Sequence, residues 1–250
     1  MEIYFFEEFP NGKSLSKLEL IKFNTKIFLA DYSIEGFKLY EKQIKSKYKN
    51  VKELIYWPVL NINEGYWFSP FAKRKALLRN FHNLLKEKIS ILWDAELPRK
   101  RKLLITQLPF FLKNKRLIKS FFKNYKGQIY TAEYFIETRF TKFLFSLFGL
   151  QFDPNIYDNY VIKMVYTSVR NYPEFFLKEE ISSLKSKYND RLIVGLGCLD
   201  TGINGNESLL SVEQLERDLL LCKELGIKKV VLFRLSGLNK EYLKIINKFV

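Results

Sequence analysis

Asp94 and Glu96, in the run Ile91-Leu92-Trp93-Asp94-Ala95-Glu96, are the residues whose types and spacing speak most directly of chemistry. Side chains two apart on an extended strand point to the same side, so both carboxylates can face one cavity. Two neighbouring carboxylates push each other's pKa values apart, which keeps one protonated as an acid while the other stays charged. A second pair with the same spacing, Met164 and Tyr166, brings a phenol into the same scheme. Further candidates stand where other apolar runs end: Glu7 with Glu8, Asp31, Trp57, Glu133 with Tyr134, Asp200 and Arg234. Asp and Glu also cap helix starts and suit the helix dipole there. Capping, however, accounts better for an acid in a loop than for one on the last residue of a strand.

The elements that must position these residues are eight short β-rich runs, each followed by a helix-like stretch. The runs are Glu2 to Glu7, Lys26 to Asp31, Glu53 to Pro58, Ile89 to Asp94, Gln128 to Tyr134, Val161 to Thr167, Arg191 to Gly197 and Lys229 to Arg234. Most place apolar residues consecutively, as parallel strands covered on both faces require. Ala72 to Lys88 and Ser211 to Leu225 carry apolar residues at helical spacing, and Ser211 with Gln214 forms a capping-box signature. The spacing of the runs suits successive βαβ units and uses the whole chain. The pattern predicts a single (β/α)8 TIM barrel over residues 1–250, with its chemistry at the C-terminal strand ends. An open doubly wound sheet is the competing topology, but no Gly-x-Gly-x-x-Gly turn follows the first run.

Asp94-x-Glu96 ending the fourth strand, Met164-x-Tyr166 ending the sixth and Val194-Gly195-Leu196-Gly197 in the seventh resemble motifs of the family 18 glycoside hydrolases, the chitinase-like barrels. The resemblance implies substrate-assisted cleavage beside an N-acetylated sugar. Glu96 would then be the general acid, Asp94 would orient the acetamido group, and Tyr166 would hydrogen-bond it. The sequence departs from that pattern at Ile89, Leu92 and Thr167, where the family carries aspartates. It lacks the Ser-x-Gly-Gly signature of strand three, and it ends strand eight in Phe233-Arg234 where a tryptophan would floor the sugar site.

Aromatic residues support a carbohydrate ligand independently. Tyr56, Trp57, Tyr66 and Trp67 cluster around the third βα loop, and flat rings with polar edges line ligand clefts well. They would serve equally as the loop's own small core. The one histidine, His82, lies inside a helix-like stretch, which argues against histidine-dependent hydrolases and His-rich metal centres. The expectation is no cofactor, with a Mg2+ held by Glu7, Asp31, Asp94 and Asp200 left open. Lys163, as a Schiff-base lysine, has the wrong parity for the mouth if Tyr166 faces it. Gly197, Gly202 and Gly205 leave a phosphate-cradling loop open near strand seven.

A net charge of +15 points to anionic partners. From Arg99 to Lys126 ten cations occur without one acid, and phenylalanines continue to Phe152. This flank, 99–152, reads either as a solvated basic face or as a surface for an anionic membrane or a second copy of the chain, with nucleic acid the weaker candidate. A non-catalytic barrel working through this flank, and a Mg-dependent carboxylate-site enzyme, are the alternatives to a glycosidase. Cys198 and Cys222 are expected as reduced thiols. The chain enters its first strand without a signal peptide and has no spanning apolar run, so a cytoplasmic location is expected.

Overall fold

The computed structural model describes residues 1–135 and 138–250. Eight parallel strands close into one barrel in chain order. They are β1 (Glu2–Glu7), β2 (Thr25–Asp31), β3 (Val51–Pro58), β4 (Ile91–Asp94), β5 (Ile129–Tyr134), β6 (Tyr160–Met164), β7 (Leu192–Gly197) and β8 (Lys229–Phe233). The connections hold α1 (Gly12–Ser16), α2 (Ile34–Lys47), α3 (Arg74–Leu84), α4 (Lys102–Thr106), α5 (Phe111–Asn124), α6 (Arg139–Leu147), α7 (Pro154–Tyr157), α8 (Glu174–Tyr188), α9 (Val212–Glu224) and α10 (Lys240–Ile246). The fold is the (β/α)8 TIM barrel that the alternating pattern predicts.

Consecutive apolar residues are required because each strand is covered twice. Residues of one parity, among them Tyr4, Phe6, Phe28, Ile55, Leu92, Tyr130, Ile162, Ile193 and Val231, fill the barrel interior. Those of the other parity, such as Ile3, Phe5, Ile27, Leu54, Trp93, Val161, Val194 and Leu232, pack against the helices. Burying one such side chain is worth ~1.5–3 kcal/mol, and a one-residue slip would exchange the two sets along a whole strand. Parity is therefore firmly held, and it decides which strand-end side chains reach the cavity. The barrel closes with Glu2 paired to Lys229 and Phe6 paired to Phe233.

Boundaries shift where a side chain claims the backbone. β4 begins at Ile91, and the carbonyl of Ile89 instead accepts the Tyr125 hydroxyl at 2.7 Å. β6 ends at Met164, short of the expected Thr167, whose hydroxyl bonds Asp218 of α9. The capping box at Ser211 and Gln214 is present. No helix among the described residues is long and apolar enough to cross a membrane.

Candidate active site

The C-terminal strand ends surround a cavity of about 300 Å3, at the small end of ligand sites. Asp94 and Glu96 continue the interior parity of Leu92, and both line it. Asp94 is 3% exposed, and its Oδ1 has no hydrogen-bond partner. The indole Nε1 of Trp57, on the same cavity, also lacks one. Burial, then the charges of Glu96 and Glu8, hold the Asp94 carboxyl well above the usual carboxylate range, with only Trp57 opposing.

Glu96 is half-buried and accepts the Tyr134 hydroxyl on Oε2 at 2.8 Å. Burial pushes it up to about 7; the Tyr134 hydrogen bond opposes this and the charge of Glu207 adds to it. Glu8 has the same parity as Tyr4 and Phe6. It accepts the Tyr66 hydroxyl at 2.8 Å and the Ile203 N–H at 3.1 Å. Burial pushes it up to about 7 as well, against the Tyr66 hydrogen bond. Three carboxyls thus share one small space, each raised by burial, and the cluster carries fewer charges than isolated carboxylates would near neutrality.

Tyr166 also lines the cavity, its ring 5.8 Å from that of Phe233, and burial keeps its phenol protonated. Trp57, Trp67, Tyr134, Phe135, Tyr172 and Phe233 supply aromatic wall. Cys198 is a free, buried thiol on the same wall, pushed up to about 12 by burial, which leaves it protonated and a poor nucleophile. Cys222 is likewise free and buried.

Several candidates from the sequence lie elsewhere, mostly because their parity points outward. Glu7, fully buried, binds Arg234 at 2.9 Å and accepts the N–H groups of Phe9 and Ser236. Asp200 meets the same guanidinium at 3.1 Å and accepts the Ser236 hydroxyl. These three residues tie β1 to the segment after β8. Asp31 accepts the Ser33 N–H at the start of α2, and its carboxylate sits where a Cβ at Gly36 would come within 2.5 Å, so its part is in the helix start. Glu133 faces the helices, paired with Lys163 at 2.6 Å and bonded by the Phe152 N–H. Tyr66 does not line the cavity but supports Glu8. Trp57, Trp67 and Tyr134 do line it, and Glu207, Phe135 and Tyr172 were not among the sequence candidates.

These placements settle other expectations. Glu7, Asp31, Asp94 and Asp200 do not converge, and no group of three His, Cys, Asp or Glu residues among the described residues is arranged to hold a metal. The Mg2+ set therefore does not fit this chain. Lys163 is ion-paired in the helix layer and does not reach solvent or the cavity. In the glycine-rich loop, the N–H groups of Gly202 and Ile203 donate to Glu207 and Glu8, so carboxylates occupy the donors a phosphate would need. His82 is exposed on α3.

An eight-stranded barrel with an acidic, aromatic pit at its C-terminal face is the architecture of a small-ligand site in this fold class. No protein-family model matches the sequence, and no curated protein matches it either. Solved structures do match. A class V chitinase from Pseudomonas fluorescens Pf-5 superposes with a TM-score of 0.59 at 9% identity, over 98% of this chain and 98% of that one. A glycoside hydrolase family 18 N-acetylglucosaminidase from Paenibacillus barengoltzii gives 0.54 at 7% identity, over 100% and 99%. The PgaB (BpsB) glycoside hydrolase domain from Bordetella bronchiseptica gives 0.56 at 11%, over 95% of each chain. The chain thus distantly resembles the family 18 chitinase-like barrels, and at these identities the likeness is one of fold.

Proposed function

We propose that the chain hydrolyses a glycosidic bond beside an N-acetylated sugar, with Glu96 as general acid. The observation that carries this is the convergence of Asp94, Glu96 and Tyr166 on one cavity walled by aromatic rings, with both carboxyls raised by burial.

In this reading Asp94 accepts the amide N–H and orients the carbonyl oxygen toward the anomeric carbon. Glu96 donates its proton to the leaving oxygen, and the amide oxygen attacks as that bond breaks. Glu96, now a carboxylate, takes a proton from the water that opens the cyclic intermediate. Tyr166 hydrogen-bonds the acetamido group, and the rings of Trp57, Trp67 and Phe233 hold the sugar faces. Fold likeness to chitinases and to an N-acetylglucosaminidase, together with Asp94, Glu96 and Tyr166 on one cavity, supports this reading. A cytoplasmic site of action is part of the same proposal, drawn from the sequence alone.

The test is hydrolysis of aryl N-acetylglucosaminides and chitooligosaccharides by wild type and by Glu96→Gln. Turnover by wild type that Gln abolishes supports the proposal. Turnover unchanged by the substitution refutes Glu96 as the acid. Sugar binding without turnover would make the barrel a non-catalytic receptor.

A further inference from the structure

Most phenylalanines of the segment 99–152 are used inside the fold. Phe121, Phe122 and Phe152 pack on Trp93, and Phe111 and Phe148 pack around Phe71. What remains outside is a smaller set: Ile105 (77% exposed), Leu108, Phe110, Leu112, Phe140 (70%), Phe143 and Leu147. Phe140, Phe143 and Leu147 recur at helical spacing on one face of α6, as do Leu108 and Leu112 across the start of α5.

The two groups adjoin, since Lys115 Nζ on α5 donates to the Leu147 carbonyl at 2.6 Å. Neither lines the cavity, but each segment touches a part of its wall. Phe145 of α6 lies 5.1 Å from the Tyr134 ring, and the Arg99 N–H donates to Gly65 in the loop that carries Trp67. Arg101, Lys102, Lys113 and Arg116 are exposed beside this apolar surface, in the stretch 99–126, which has no acid of its own. Lys123 near the end of α5 and Lys126 just past it lie about 10–15 Å from Arg116 and Lys113 along the helix axis, down the barrel flank.

We propose that this rim, α4, the start of α5 and the outer face of α6, docks the mouth of the barrel onto an anionic lipid surface. Two features select the occupant. A second copy bound through the same face would set these cations against themselves, because a two-fold interface meets its own patch. Nucleic acid would satisfy the cations and could stack bases on Phe140 and Phe143, but it has no use for exposed Ile105, Leu108, Leu112 and Leu147, which cannot stack. A lipid surface takes both: headgroups meet the cations, and the apolar side chains enter the acyl boundary. Docking brings the cavity to the membrane, whatever the chemistry within it.

The test is co-sedimentation with phosphatidylcholine vesicles, with and without about 30% phosphatidylglycerol, at low and moderate salt. Binding is expected only to the anionic vesicles and should weaken with salt. Combined Phe140→Ser, Phe143→Ser and Leu147→Ser should lower it by about tenfold or more at an unchanged thermal midpoint. Lys123→Gln with Lys126→Gln, near the end of α5 and just past it, should change it by less than about threefold. Failure to bind anionic vesicles at low salt would overturn the proposal. So would equal losses in both variants, tighter binding to single-stranded RNA than to vesicles, or a dimer that the apolar substitutions dissociate.

Discussion

Tyr134 donates its hydroxyl to Glu96 Oε2 at 2.8 Å, and this bond opposes the burial that lifts Glu96 to about 7. A general acid works in its protonated form, so activity should fall as pH rises through that value. Removing the Tyr134 hydroxyl takes away a stabiliser of the carboxylate. Tyr134→Phe is therefore expected to move the alkaline limb of the kcat/KM profile to higher pH. An unmoved limb, in an enzyme whose turnover Glu96→Gln abolishes, would show that the limb reports another group.

Glu8 carries a cost of burial that is readable as stability. Its pKa rises from 4.5 to about 7 in the folded chain, so the folded state holds a proton that the unfolded state has lost over that window. The stability this contributes is full below about 4.5 and is lost as pH rises through about 7. The full shift corresponds to roughly 3 kcal/mol. Glu8→Gln should raise the thermal midpoint at pH 8, by roughly 2–4 °C for each kcal/mol relieved, and the gain should vanish near pH 4. Melting curves of both proteins across that range would check it; a gain equal at both ends would locate the effect in packing.

The barrel was legible because its strands must be apolar on both faces, and Asp94, Glu96 and Tyr166 followed from a period of two. The same period, carried to the other strands, separates Glu8 from Glu7, Tyr134 from Glu133 and Phe233 from Arg234. In each pair the charged member that misses the cavity, Glu7, Glu133 or Arg234, is held instead by an ion pair and by backbone groups. Asp31 was legible in a different sense, as a helix-start residue. Glu207 and Tyr172 reach the cavity from loops, whose course no periodicity encodes, and Tyr66 acts through Glu8 at a separation of 58 residues.

Lys163 and Glu133 form a pair almost fully removed from solvent. Breaking such a pair from one side leaves a buried charge uncompensated, at about 3–5 kcal/mol. Lys163→Met should therefore lower denaturant stability by that order, and adding Glu133→Leu should recover part of it. Because neither side chain lines the cavity, kcat/KM of the folded variants should stay near wild type. A loss of turnover larger than the loss of folded protein would instead return Lys163 to the chemistry.

Arg234 joins Glu7 and Asp200 across the closure of the barrel, its Nη1 at 2.9 Å from one and its Nη2 at 3.1 Å from the other, while its Nε donates to the Thr201 carbonyl. Arg234→Gln keeps a polar side chain but removes the cation that offsets fully buried Glu7, whose remaining donors are the N–H groups of Phe9 and Ser236. The variant should unfold about 3–5 kcal/mol more easily, and the deficit should shrink as pH falls, because burial already holds Glu7 above its ordinary value. Its neighbour Phe233 is the cavity residue, so sugar affinity should change by less than about threefold. Denaturation at two pH values with parallel ligand titration separates the roles. A stable variant with tenfold weaker binding would place Arg234 on the ligand and not in the closure.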